Sequence, residues 1–377
     1  MKNKSGLFML SLLLICSITF GQNEKLKAKI DSICNTSGYP GLVFSFIDKD
    51  GNVNAFASGY ADKENNVRMT PQHKLHGGST GKTIVPGVLM QLIAEGKVAL
   101  DDKVSKYLGA NDWFDQLANS QDITVRHLMQ HSSGIVRYEF KEEFLNDLKK
   151  NPNKKWKPEE LLAYVLGDAP PFEAGEGFTY SDTNYILLGM IIEKVTGNTF
   201  YDEARNRIIE PLGIASFSET NKKAISNMAQ GYYEEGSEYA LGFKSPFLVD
   251  GKAQNNMQFE WTGGGYAYEN ADYARLLKAL YEGEVFDMEL LRDDFFGYIA
   301  AEEIGGQYGL GVIQYQFPNL GEFIGHSGFF PGYNTAGFYH PETGQAFTMQ
   351  INSTQGNHLR TFFRDYLTIV GMILRNN

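Results

Sequence analysis

Cysteine is nearly missing from this chain: Cys16 and Cys34 are the only two in 377 residues. That scarcity, with the length, excludes a disulfide-stapled scaffold. Basic charge is also in deficit, with 34 Lys and Arg against 45 Asp and Glu and a formal net charge of −11. Nucleic-acid binding needs a basic footprint over the phosphates, so no nucleic-acid partner is expected. Beyond the amino-terminal run, no stretch reaches about 18 uninterrupted apolar residues, which excludes an integral membrane helix there. Internal repeats and low-complexity linkers are absent too. What is present is ample: 42% hydrophobic and 13% aromatic content can bury a large core and rules out a disordered chain. The length admits two domains or one large one.

The chain opens Met1-Lys2-Asn3-Lys4, followed by an apolar run from Leu7 to Phe20. A basic front and a short apolar stretch read as a secretory leader, with small residues at Thr19 and Gly21 placing cleavage after Gly21. An uncleaved anchor is the competing reading. A lipoprotein signal at Cys16 fits less well, because Ile15 precedes it. The mature protein is expected to be exported, periplasmic or secreted, with no integral membrane segment. It keeps only Cys34, so core burial alone must hold it together.

Residues 41–48 read as a strand, Asp50-Gly51 as a hairpin turn and residues 53–60 as the return strand. Asp48 to Asn52 resembles the start of a calcium loop, but the twelfth position is Gly59 where a bidentate Glu is required. Helical spacing runs from Lys82 to about Glu95, with Pro86 and Gly87 expected to kink its early turns. It continues through 125–130, 158–166, 185–195 (stopped by Gly197), 200–209 and 271–281. Residues 309–315, 321–325, 336–339 and 345–352 alternate as antiparallel strands, and 359–374 form a final helix. Strands at both ends with helices between them predict an α/β fold: an antiparallel sheet flanked by helices, with an inserted all-helical domain. The division expected is 22–100 and 240–377 for the α/β domain and 101–239 for the helical domain.

Three short constellations carry chemistry. Ser79-Thr80-Gly81-Lys82 has the form S-x-x-K, which on a helix start puts the amine beside the hydroxyl. A serine hydroxyl needs an adjacent base, and a lysine held unprotonated can be that base. N–H groups at a helix start can also stabilise an oxyanion. The overlapping Gly81-Lys82-Thr83 looks like the end of a phosphate-binding loop. That motif needs a glycine at position 76, where the chain has His76. Tyr180-Ser181-Asp182 supplies a phenol that carries protons when a cation lowers its pKa. His326-Ser327-Gly328, flanked by Gly325, fits a strand whose backbone approaches a ligand, with the Phe329 N–H as an oxyanion donor. Each also has an ordinary structural explanation: a solvated lysine, an aromatic at a helix start, a half-buried histidine. His127 and His131 are spaced as metal ligands on a helix, but no third ligand or H-E-x-x-H glutamate accompanies them, so no metal is expected.

Taken in order, S-x-x-K, Tyr-Ser-Asp and His-Ser-Gly make the chain resemble the penicillin-recognising serine hydrolases. These comprise class C β-lactamases, D-alanyl-D-alanine carboxypeptidases, D-aminopeptidases and family VIII esterases. Residues 89–102 and 123–134, Gly263-Gly264-Gly265, Gly309-Leu310-Gly311 and Pro331-Gly332-Tyr333 resemble further landmarks of that family. The resemblance implies a β-lactamase/transpeptidase-like fold and no cofactor. It implies that Ser79 is acylated, that Lys82 and Tyr180 shuttle the proton, and that the N–H groups of Ser79 and Phe329 hold the oxyanion. It further implies that His326 orients Tyr180, and that Asp182, Ser327 and Gly328 contact substrate. Asp182 replaces the family's usual Asn, and His326 replaces the Lys usual in β-lactamases, which favours peptidase or esterase over β-lactamase. The expected substrate is a small molecule or peptide, best a D-amino-acid peptide of the cell-wall type. A catalytically weak penicillin-binding or sensor protein is the alternative from another class.

Overall fold

The computed structural model describes residues 5–287 and 295–375. Helix α1, Ser5–Ser37, comes first. The expected leader falls on its front part, and residues 1–4 of that leader lie outside the described residues. Strands β1, Gly41–Ile47, and β2, Val53–Asp62, then form the expected hairpin, with Phe44 opposite Phe56. Asp48 closes the turn, its Oδ1 accepting the N–H groups of Asp50 at 2.9 Å and Asn52 at 2.8 Å. That is an Asx turn, and Gly51 supplies the φ of +85° it needs. Short strands β3, Val67–Arg68, and β4, Lys74–His76, lead into the first long helical segment.

That segment begins as a 3-10 helix, Gly78–Thr83, and becomes α-helical only at α2, Ile84–Ala94. Pro86 therefore falls in the first α-helical turn, where a missing N–H costs no hydrogen bond, so the irregularity lies upstream of the proline. Next come α3, Ser105–Leu108; α4, Val125–Met129; α5, Glu142–Lys150; and α6, Pro158–Leu162. Helix α6 is shorter than its pattern predicts. Helix α7, Asp182–Thr196, packs against α2, α3, α4 and α6 and stops at Gly197, whose φ is +74°. Helix α8, Phe200–Ala204, continues into a π-turn over Arg205–Ile209. Small elements follow: β5, Ser218–Glu219; β6, Leu248–Val249; β7, Lys252–Ala253; α9, Trp261–Gly264; and β8, Tyr266–Glu269. Helix α10 is Asn270–Tyr281.

The chain then builds β9, Ile299–Ala301; β10, Gly306–Tyr308; β11, Ile313–Phe317; β12, Gly321–Phe330; β13, Tyr333–His340; and β14, Gln345–Ile351. It ends in α11, His358–Leu374. Nine of the strands form one antiparallel sheet in the order β3-β2-β1-β14-β13-β12-β11-β10-β9. Both ends of the chain thus meet where β1 pairs with β14, as the alternating segments at the two ends predicted.

Two strands differ from expectation. Residues 309–315 are not one strand, because Gly311 at φ +74° turns the chain between β10 and β11. Strand β12 does not stop at Gly325; it runs to Phe330, with His326 opposite Gly337 and Gly328 opposite Thr335. These glycines admit neighbouring backbone rather than breaking the strand.

The sheet is covered on both faces, which explains why β1 is buried throughout instead of alternating with solvent. Leu42, Phe44 and Phe46 join Leu26, Ile30, Tyr366 and Ile369 of α1 and α11 in one apolar cluster. Val43 and Ile47 point the other way, into a cluster that runs through Leu276 of α10, Val88 of α2 and Leu187 of α7. The second cluster joins the sheet to the helical segment in one continuous core.

Candidate active site

Ser79 sits in the second position of the 3-10 segment, half-exposed. In a 3-10 helix residues i and i+3 eclipse one another. Lys82 accordingly lies beside Ser79 and donates to its Oγ at 3.0 Å. Lys82 is wholly buried. Its other contacts are the Gly263 carbonyl at 2.5 Å and an ion pair with Asp182. The amine is thus ringed by three oxygen atoms, with the Ser79 hydroxyl and the Asp182 carboxylate both within its reach.

Asp182 is the first residue of α7, where the helix dipole favours a carboxylate. Burial raises its pKa, but Lys82 and Arg137 outweigh burial and hold it below the usual carboxylate range. The Arg137 Nη2 stands 3.8 Å from Asp182 Oδ2, and its Nε donates to Glu139 Oε1 at 2.5 Å. Asp182 therefore faces the Lys82 amine and the guanidinium rather than open cleft. Two further carboxyls complete the group. Burial, opposed by Arg137 and reinforced by Asp182, pushes Glu139 up to about 7. Burial and the Asp182 charge push Glu260 up to about 8.

Tyr180 lies between the two cations, with Lys82 Nζ 5.0 Å and Arg137 Cζ 5.3 Å from its ring centroid. Its hydroxyl is buried, close to that of Ser79. Burial and Asp182 raise the phenol well above its ordinary value, against the lowering pull of the Ser79 hydroxyl and Arg137. Tyr180 is thus held protonated, contrary to the expectation that a cation would lower it. His131 packs beneath it with ring centroids 4.2 Å apart, and its Nδ1 accepts the Ser181 N–H at 3.2 Å. His131 is therefore part of the floor of this site.

His326 lies one layer behind. Its Nε2 meets the Tyr308 hydroxyl at 3.0 Å and its Nδ1 the Ser327 carbonyl at 2.5 Å. Its contact with Tyr180 is ring against ring, with centroids 6.1 Å apart. Burial and Lys82 bring its pKa down to about 3, so it carries no charge at neutral pH. Ser327 is half-buried on the same strand.

Strand β12 lies hard against the nucleophile loop. A Cβ on Gly328 would come 2.0 Å from the Gly77 carbonyl oxygen, and one on Gly78 would come 2.4 Å from the Phe329 carbonyl oxygen. The peptides of Ser79 and Phe329 are therefore close neighbours. On the other side, a Cβ on Gly264 would meet the Gly78 carbonyl at 2.5 Å and Glu260 Oε2 at 2.7 Å. The glycines of 263–265 thus let α9 reach Ser79 and present its carbonyl to Lys82. Arg137, Glu139, Glu260 and Tyr308 belong to no motif. The only sequence signal for two of them was a pair of charges, Arg137 and Glu139, inside the apolar stretch Ile135 to Phe140.

A family model described as Beta-lactamase matches residues 26–368. Penicillin-binding protein 4* of Bacillus subtilis (strain 168) is 26% identical over 290 residues, 74% of this chain and 60% of that protein. The curated relatives extend further than this chain, which spans about one third to two thirds of their length. Among solved structures, a D-stereospecific amidohydrolase from Streptomyces sp. superposes with a TM-score of 0.74 at 25% identity, covering 87% of this chain and 93% of that one. The D-amino acid amidase from Ochrobactrum anthropi SV3, complexed with D-phenylalanine, gives 0.79 at 24% identity, covering 95% and 100%. These likenesses establish the β-lactamase/transpeptidase-like fold. No helix among the described residues is long and apolar enough to cross a membrane.

Proposed function

The chain belongs to the beta-lactamase family of serine hydrolases, and from that premise we propose that it hydrolyses D-amino-acid peptides or amides through an acyl-enzyme on Ser79. The observation that carries this reading is Lys82, which touches the Ser79 hydroxyl on one side and Asp182 on the other. A buried ion pair of this kind is a proton store. The pair is already shut away from water, and a dry ion pair neutralises more readily than a wet one. Asp182 takes one proton from Lys82. The freed amine then accepts the Ser79 proton as Oγ bonds to the carbonyl carbon.

The N–H of Ser79 lies in the first turn of its helix, where no intrahelical acceptor exists, and with that of Phe329 it receives the oxyanion. Tyr180, held protonated by burial, gives its proton to the leaving nitrogen as the carbonyl–nitrogen bond breaks. Lys82 restores that proton to Tyr180. Water then takes the place of the leaving amine and the sequence runs in reverse, releasing the acid and Ser79.

The neighbours named as a D-stereospecific amidohydrolase and a D-amino acid amidase support the D-amino-acid part of the reading. The uncharged His326 counts against β-lactamase, since no lysine stands there to hold the carboxylate of a β-lactam. The basic and apolar start of the chain, with penicillin-binding relatives, supports export. Carboxypeptidase, small-acyl esterase and β-lactamase activities are separated by one substrate panel. It holds a D-amino acid amide, a D-Ala-D-Ala peptide, a p-nitrophenyl ester and a chromogenic cephalosporin. Turnover of the first two is expected, and turnover of the ester or cephalosporin alone would replace the substrate class. Ser79→Ala should lower the rate by at least about 1,000-fold. Full activity in that variant would overturn the nucleophile.

A further inference from the structure

His76, three residues before Ser79, is wholly buried, and its ring stacks on Phe330 with centroids 3.7 Å apart and planes 10° from parallel. Its Nδ1 accepts the N–H of Gly78 at 3.0 Å. Its Nε2 is buried and has no partner among the described residues. Packing alone does not explain a histidine here. An apolar ring or a leucine would fill the same space against Phe330 without burying an unpaired polar nitrogen. What such a residue cannot supply is the acceptor for Gly78.

Gly78 is the residue on which the geometry of the nucleophile turns. Its φ is +55°, and its Cα lies so close to the Phe329 backbone that no side chain fits. The neighbouring Gly77 is tied by its N–H to the Tyr266 carbonyl at 2.9 Å and by its carbonyl to Thr80 Oγ1 at 2.8 Å. The Gly78 N–H is the tie between those two anchors and Ser79, and the orientation of the Gly78–Ser79 peptide sets where the Ser79 N–H points.

We propose that His76 is a positioning residue that holds the Gly78 amide, and through it aims the Ser79 N–H and hydroxyl at the reacting carbonyl. Burial of the ring keeps the imidazole neutral, its pKa brought down to about 3, so the Nδ1 lone pair is available throughout the physiological range. Because the hydrogen bond of its ring goes to backbone and not to substrate, His76 acts on the transition state rather than on substrate affinity. The proposal rests on Ser79 being the nucleophile.

The test compares three variants by steady-state kinetics, by inhibition with phenylboronic acid, which forms a tetrahedral adduct on an active serine, and by thermal unfolding. Asn places its Oδ1 where His carries Nδ1, whereas Gln places its amide where His carries Nε2. His76→Asn should keep kcat within about threefold of wild type. His76→Leu and His76→Gln should lose about 10- to 100-fold in kcat, with KM little changed and boronate affinity falling in parallel. Equal losses in Asn and Leu, or an unchanged kcat in Leu, would overturn the proposal. If Leu does not fold, the Asn and Gln pair decides alone: Gln active like Asn would overturn it too. Activity surviving in Ser79→Ala would instead sink the nucleophile assignment, whatever the His76 variants do.

Discussion

Lys82 has three N–H donors, and the fold provides Ser79 Oγ, the Gly263 carbonyl and Asp182 to receive them. A carboxylate at contact distance favours the charged form of its neighbour, and the proposed mechanism draws its proton from this pair. Replacing Asp182 by Asn keeps the shape and removes the charge. We expect the acid limb of the kcat/KM profile to move to lower pH in Asp182→Asn, because the Lys82 amine then loses its carboxylate partner. An unmoved acid limb would show that the ion pair does not gate the reaction. Asp182 is also a residue to which the structure adds partners. Its place in Tyr-Ser-Asp implied a contact to substrate, and its position at the start of α7 sets it beside Lys82 and Arg137.

At the scale of elements, helix α7 organises the helical segment and delivers Asp182 at one end. Its other end is set by Gly197 at φ +74°, with open space where a Cβ would stand. An alanine there pays only the left-handed conformation, so Gly197→Ala should cost about 1–2 kcal/mol of stability by chemical denaturation while kcat stays at the wild-type value. A larger loss would mean that the C-terminal turn of α7 packs against something the geometry does not show. The same reasoning explains β12. The alternating pattern stopped at Gly325, yet Gly325 and Gly328 are the points where β13 and the nucleophile loop press closest, and the strand runs on to Phe330. Chain periodicity finds helices and strands, but it does not say whether a glycine breaks an element or admits a neighbour.

For the whole molecule, buried titrating groups set how stability depends on pH. His76 and His326 fall from 6.5 to about 3 on folding, so the unfolded chain binds more protons and stability is lost as pH drops from 6.5 toward 3. Glu139 and Glu260 rise from 4.5 to about 7 and about 8, so the folded chain binds more protons and stability is lost as pH climbs from 4.5 toward 8. The two slopes oppose one another between 4.5 and 6.5, and above 6.5 the glutamates act alone. Thermal unfolding should therefore show a falling midpoint between pH 6.5 and 8.5, and Glu260→Gln should flatten that fall. Parallel curves for the two proteins would show that Glu260 does not titrate as its burial implies.

Ser79, Lys82, Tyr180 and His326 were legible because short motifs record them, and the β1–β2 hairpin, the stop of α7 and the antiparallel α/β class because turn residues and apolar spacing are local. The order of the motifs was enough to point to the family. Tertiary structure alone decided the chemistry around them. Arg137 and Glu139 come from one stretch of chain and Glu260 from another, and only folding brings their charges beside Asp182. The protonation of Tyr180 and His326, and the use of His76 as a backbone acceptor, depend on what surrounds each group after burial. Charge and hydrogen bonding are set by solvent exclusion and by neighbours distant in sequence, and neither is written in the local pattern of residues.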